Sequence, residues 1–144
     1  MSKILKVARA EIGVTEIPGK KHNERILEYA SALKYNWIKT DEVPWCSNFV
    51  NWVAREAGFE RSGKANARSW LEVGLPVESP KPGDVVIFSR PPSPTSGHVA
   101  IIDHLSEDGK KVYVIGGNQS NMVKVSPYAI NRVLGYRRLR KENK

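Results

Sequence analysis

Three short segments of this 144-residue chain hold residue types that together can do nucleophilic chemistry. Pro44-Trp45-Cys46-Ser47-Asn48-Phe49-Val50-Asn51-Trp52-Val53 contains the only cysteine, Gly97-His98-Val99 offers a histidine, and Gly116-Gly117-Asn118-Gln119 offers amides. A thiolate attacks carbonyl carbon, and an imidazole that titrates near neutrality can take the thiol proton. An amide oxygen that accepts from one ring nitrogen fixes the tautomer and leaves the other nitrogen for sulfur. The cysteine segment reads as a helix start. Asp41, Glu42 and Pro44 suit an N-terminus, Phe49, Val50, Trp52, Val53 and Ala57 give an apolar face, and Gly58 can end the run. Cys46 then sits in the first turn, where unpaired N–H groups and the helix dipole favour a thiolate. Position alone leaves Cys46 open between that nucleophile and a small buried hydrophobe, the usual role of a free thiol.

His98 opens a strand after a glycine and a proline-rich loop, near a sheet end where sites form. His104 closes the same strand, on the same face by even spacing but ~20 Å away, and reads as a surface residue. His22 falls in a polar linker and reads as solvent-exposed. A hairpin turn near Asp108-Gly109 places Asn118 opposite His98, so Asn118 is the candidate orienting group. The alternative is that Gly116-Gly117-Asn118 is only a turn. Cys46, His98, Asp103 and His104 contain no close ligand pair, and Gly116-Gly117 is no phosphate loop, so no metal or cofactor is expected.

The elements that must position these groups come in two blocks. Ser2 caps a first helix over Ile4, Leu5, Ala8 and Ile12. Asn23 to Leu33 reads as a second, with Ile26, Leu27, Ala30 and Leu33 on one face, and the cysteine helix follows. Asn66 to Leu71 predicts a short helix. Pro82-Gly83-Asp84 is a turn, Val85 to Phe88 a strand, Arg90 to Ser96 a loop, and His98 to Leu105 and Val112 to Ile115 a hairpin. Met122 to Val125 and Val133 to Leu139 read as shorter strands. Helices first and strands second predict an α+β fold with an antiparallel sheet.

The length suits one domain, residues 1–144, with a basic tail at about 137–144. The formal charge of +8 favours an anionic partner such as a cell envelope polymer. The basic residues lack the aromatic interleaving of a base-stacking surface, so nucleic acid is not expected. No run is long enough for a membrane helix, and the N-terminus lacks a signal peptide's apolar core. The expectation is synthesis in a cytoplasm, export by another route, and a monomer.

Pro44 to Val50, Pro82-Gly83-Asp84-Val85-Val86-Ile87-Phe88, Gly97-His98-Val99 and Gly116 to Gln119, in this order, resemble the CHAP and NlpC/P60 group of cysteine peptidoglycan hydrolases. They look most like its small single-domain branch, often found in phage genomes. Glu16-Ile17-Pro18-Gly19 and Gly135-Tyr136-Arg137 fit that branch too. The resemblance implies a papain-like fold, N-terminal helices packed on a C-terminal antiparallel sheet, and hydrolysis of an amide in bacterial wall peptide. It implies Cys46 as nucleophile, with its backbone N–H on the oxyanion, His98 as base and Asn118 as orienting group. Trp45, Trp70, Arg90 and Gln119 become candidates to line the groove, Trp45 with a core role as its alternative. Many relatives use a carboxylate where Asn118 stands, and the glutamine that precedes the cysteine in papain-like proteases is missing. Asp41 and Glu42 are too few for the calcium site of some relatives. The activity expected is an amidase or endopeptidase acting on the muramoyl–L-alanine linkage or within the stem. A phage endolysin released to the periplasm by a holin is the first reading. An injected interbacterial effector and a non-catalytic basic binding module are the others.

Overall fold

The computed structural model describes residues 2–15, 24–32, 45–119 and 122–142. Glu16 to Gly19, His22, Leu33, Asp41, Glu42, Pro44 and the last two residues lie outside the described residues. Helix α1 (Lys3–Ala10) starts where Ser2 Oγ accepts from the Leu5 amide at 3.2 Å, and it buries Ile4, Leu5 and Ala8. Helix α2 (Glu24–Ala30) buries Ile26 and also Tyr29, which the apolar periodicity passed over. The Tyr29 hydroxyl donates to Glu11 at 2.9 Å, and its ring lies against Trp45, Phe49 and Trp52.

Helix α3 (Cys46–Ala57) is buried along most of its length and ends at Gly58, whose φ of 83° is left-handed. A polar network under it fixes its position. Asn51 donates to the carbonyls of Ser47 at 2.9 Å and Lys64 at 3.2 Å, and accepts from the Gly63 amide at 2.7 Å. Trp70, on the 3-10 helix Ala67–Glu72, donates its indole N–H to Ser47 Oγ at 3.0 Å. Each of these groups would lose solvation in the core without such a partner. Ser47 and Asn51 stand one turn apart on a single helix face, so their pairing is local and needs no further folding.

Strands β1 (Leu75–Val77), β2 (Val85–Arg90), β3 (Ser93–Leu105), β4 (Lys111–Gln119), β5 (Met122–Ala129) and β6 (Val133–Arg138) form one antiparallel sheet in the order β1-β6-β2-β3-β4-β5. The fold is α+β. One sheet face, with Val85, Ile87, Val99, Ile101 and Ile115, shares a buried cluster with residues of α1, α2 and α3. The other face has its own cluster of Val86, Phe88, Ala100, Ile102, Val112 and Val114. Phe88 on β2 and Tyr128 on β5 are three strands apart, about 14 Å in a flat sheet. Their ring centroids are 4.6 Å apart. The sheet therefore curls strongly around this second cluster.

Two expectations need correction. Arg90 to Ser96 is not all loop, because β3 begins at Ser93, paired with Arg90 across Pro91-Pro92. Ser89 pairs next with Gly97, so residues 94–96 bulge from the ladder and Pro94 forfeits no ladder hydrogen bond. The basic cluster is also no tail before residue 142. Arg137 donates to the Leu71 carbonyl at 3.1 Å, Arg140 pairs with Glu60 at 3.0 Å, and Lys141 bridges to Phe59. Arg138 grips Asp84 through two bonds of 3.0 and 2.8 Å.

Asp84 is buried and also accepts from the Lys81 amide at 2.8 Å, so it joins the turn before β2 to β6. Asp84→Ala leaves that amide and a half-exposed guanidinium unpaired, and we expect a loss of about 2 kcal/mol in urea unfolding. An unchanged midpoint would show that the pair contributes no net stability.

Candidate active site

Cys46 is the first residue of α3 and is buried. The Val99 N–H of β3 and the N–H groups of Ser47 and Cys46 at the helix start each pull its pKa down. The sulfur therefore sits beside the strand residue that follows His98. Burial nonetheless pushes the thiol pKa up, and the opposing pull of the Val99 N–H and the Arg90 charge is smaller. The thiolate expected from the helix position is thus not the resting form. Removing sulfur from water outweighs the helix terminus.

His98 is 1 % exposed. Its Nε2–H donates to Gln119 Oε1 at 2.9 Å, while Gln119 Nε2 donates to the Lys124 carbonyl at 2.7 Å. The second bond fixes which end of the amide is oxygen, and the oxygen fixes the tautomer. Nε2 carries the proton and Nδ1 carries the lone pair. Nδ1 is buried and has no hydrogen-bond partner among the described residues. Burial holds the imidazole pKa down to about 4, helped by Arg90 and Arg132 and opposed by the Gln119 bond. At neutral pH the site holds a thiol and a neutral imidazole with one open acceptor.

The contact read for Asn118 is thus made by Gln119, which the sequence reading assigned to the groove. Continued past its last described pair, the register of Ile101 opposite Ile115 would set residue 118 across from His98. But β4 slips by one residue between Gly116 and Gln119 in its pairing with β5. A one-residue slip turns the following side chain to the other face, and this brings Gln119 to His98. Asn118 contributes its backbone to β4, and its side chain lies outside the described residues. The glycines are not a turn but room. A Cβ on Gly116 would stand 2.7 Å from Gln119 Oε1, and one on Gly117 would stand 2.6 Å from the Trp45 ring and 2.7 Å from Phe49.

The His98 ring stacks on Tyr128 at 5.3 Å and on Phe88 at 6.2 Å. Tyr128 is half-buried, and burial raises its pKa, so its hydroxyl stays protonated. Arg132 lies over the Tyr128 ring, its Cζ 5.9 Å from the centroid. Sequence reasoning missed Tyr128 and Arg132, because only the curl of the sheet brings them to His98. Trp45 and Trp70 are 1 % and 0 % exposed, so both are core residues rather than groove lining. Arg90 is exposed at the end of β2, and its charge reaches Cys46, His98 and Tyr128. His104 is exposed and bonded to Asp103 at 2.6 Å, away from this group. A slip in β3 between Ile102 and His104 undoes the even spacing that put it on the His98 face.

Chemically, the arrangement offers a sulfur nucleophile at a helix start, a base with its acceptor nitrogen free, and an amide holding that base in one tautomer. The CHAP domain family model matches residues 38–118, more than half of the chain, including Cys46 and His98. No curated protein matches the chain.

A histidine buried neutral makes stability depend on pH. His98 is protonated near pH 6.5 when unfolded but only near about 4 when folded. Its contribution is fully present above pH 6.5 and is lost as pH falls through the folded value, by about 3 kcal/mol in all. Urea unfolding between pH 7 and 4 should show this slope in the wild type and a shallower one in His98→Asn. Parallel slopes would mean that His98 takes up its proton without penalty in the folded protein.

Proposed function

Because the chain belongs to the CHAP domain family, whose members are peptidoglycan hydrolases working through a cysteine, we propose that Cys46 and His98 are its nucleophile and base in cleaving an amide of the wall peptide. The observation that carries this reading is the His98 tautomer. Gln119 accepts a hydrogen bond from Nε2–H, and Nδ1 is left as the acceptor on the residue next to Val99, whose N–H pulls the Cys46 pKa down. A papain-like arrangement, with cysteine at a helix start and histidine on a sheet, is supported by the same placement.

The steps follow from these groups. Nδ1 takes the thiol proton as sulfur attacks the amide carbon, so no free thiolate needs to accumulate. The oxyanion lies by the helix start, where the Cys46 amide donates. The imidazolium, held by Gln119, gives its proton to the leaving amine, and water then hydrolyses the thioester with Nδ1 again as base. Cleavage at the muramoyl–L-alanine linkage or within the stem fits this chemistry equally. A phage endolysin, made in the host cytoplasm and acting at the wall after release, is supported by the resemblance of the motif order to that branch.

Digestion of purified peptidoglycan with mass spectrometry of the fragments tests the reading and identifies the bond. Cys46→Ala should release no fragments, and His98→Ala should be slower by about 10²–10⁴-fold. Gln119→Ala should give an intermediate loss, and adding it to His98→Ala should change little, because the two act as one unit. Digestion by Cys46→Ala at the wild-type rate would overturn the mechanism.

A further inference from the structure

We propose that Arg90 and Arg132 form a carboxylate-reading lip over the Cys46–His98 site, so that the amide cleaved is one flanked by a free carboxylate. The proposal rests on the hydrolase reading and specifies its substrate. Arg90 lies two residues beyond Phe88, whose ring stacks on His98. Arg132 is pinned to the residue between them. Its Nη2 donates to the Ser89 carbonyl at 2.7 Å, and Ser89 Oγ donates back to the Arg132 carbonyl at 3.3 Å. The Arg132 guanidinium also covers Tyr128, the other ring stacked on His98. Two guanidinium charges are thus felt by one imidazole.

Neither arginine pairs with a carboxylate among the described residues. Elsewhere the fold pairs its arginines readily: Arg9 with Asp103, Arg138 with Asp84, Arg140 with Glu60. Arg132 Nε is buried and lacks any partner among the described residues. Moreover, two cations beside a general base weaken it, and both arginines do lower the His98 pKa. A bound carboxylate removes that handicap, since it offsets both charges and restores basicity to Nδ1 as substrate arrives. Planar guanidinium forks match carboxylate geometry, which makes an anionic oxygen pair a better fit than a neutral amide. Wall stem peptides carry this group: a γ-linked D-glutamate leaves its α-carboxylate free beside the chain amides. Its amidated form keeps the shape and loses the charge.

The test compares two soluble muropeptides, one with D-glutamate and one with D-isoglutamine, by kcat/KM. Wild type should prefer the acid by roughly 10- to 100-fold, the size of a charge-assisted hydrogen-bond contribution. Arg90→Gln should bring that ratio close to one, mainly through KM, and Arg90→Lys should keep part of it. Arg90 has an exposed side chain, so its replacement spares the fold, whereas Arg132→Lys retains the charge and tests the fork alone. Equal wild-type rates on both peptides would overturn the proposal. So would an Arg90→Gln loss that is the same on both, since Arg90 would then act only through the potential at Cys46 and His98. Cleavage of neither peptide, with purified peptidoglycan still digested, would overturn the carboxylate assignment alone. Failure on peptidoglycan as well would overturn the hydrolase reading itself.

Discussion

An imidazole sealed from water must place one proton and one lone pair, and around His98 the described residues provide for only the proton. Gln119 accepts from Nε2, and its own amide is held by the Lys124 carbonyl. A buried polar atom without a partner costs about 1–3 kcal/mol. The open Nδ1 is therefore a penalty that packing alone has no reason to retain. The surrounding strands are built to hold the ring in this state. Gly116 makes room for the Gln119 amide, the β4 slip turns it inward, and the stacked pair of Phe88 and Tyr128 rings packs along the imidazole.

The same burial decides the charge state of the pair. At an exposed helix start, amides and dipole would draw Cys46 toward thiolate. Here the sulfur and the imidazole are both buried, and desolvation is the largest influence on each. It opposes both charges, so an ion pair is not the resting state. In the mechanism proposed above, proton transfer is then tied to attack, when the developing oxyanion and imidazolium can offset one another. Substrate charge gains influence in such a site, because a carboxylate near two guanidiniums changes the balance between the two forms of His98.

The sequence made the local features legible and hid those that depend on register. The Ser2 cap, the extent of α3 with Gly58 at its end, and the β3–β4 hairpin follow from spacing and turn chemistry. Cys46 was recognisable because it opens α3, and His98 because it follows the glycine at which β3 resumes its pairing with β2. The hairpin reading set residue 118 opposite His98, yet the hydrogen bond comes from residue 119. Alternation holds only while the ladder is regular, and a single slip reverses it. His104 shows the same effect in β3. Tyr128 and Arg132 were illegible for a different reason. Their approach to His98 depends on the curl of the whole sheet, a sum of small twists and bulges that no local window contains. The tryptophans misled because an aromatic beside a motif reads as a binding surface. Trp45 and Trp70 instead seat α3.

Strand β3 divides the site between two cores, and this gives its geometry a mechanical basis. Cys46 belongs to the cluster shared with the helices, together with Val99. His98 pairs across from Phe88 and stacks on it, on the face that curls around the second cluster. Alternation along one strand thus sends the base to one face and leaves the neighbouring Val99 packed on the other. The Cys46 thiol feels the backbone between them, since the Val99 N–H pulls its pKa down. The distance from sulfur to Nδ1 is then set by how α3 docks on this end of β3. That docking rests on the Ser47–Asn51–Trp70 network behind α3 and on the close contact of Gly117 with Trp45 and Phe49 in front. A side chain at position 117 would push α3 away from the sheet and open the gap between the Cys46 sulfur and the His98 ring, although neither of them had been altered.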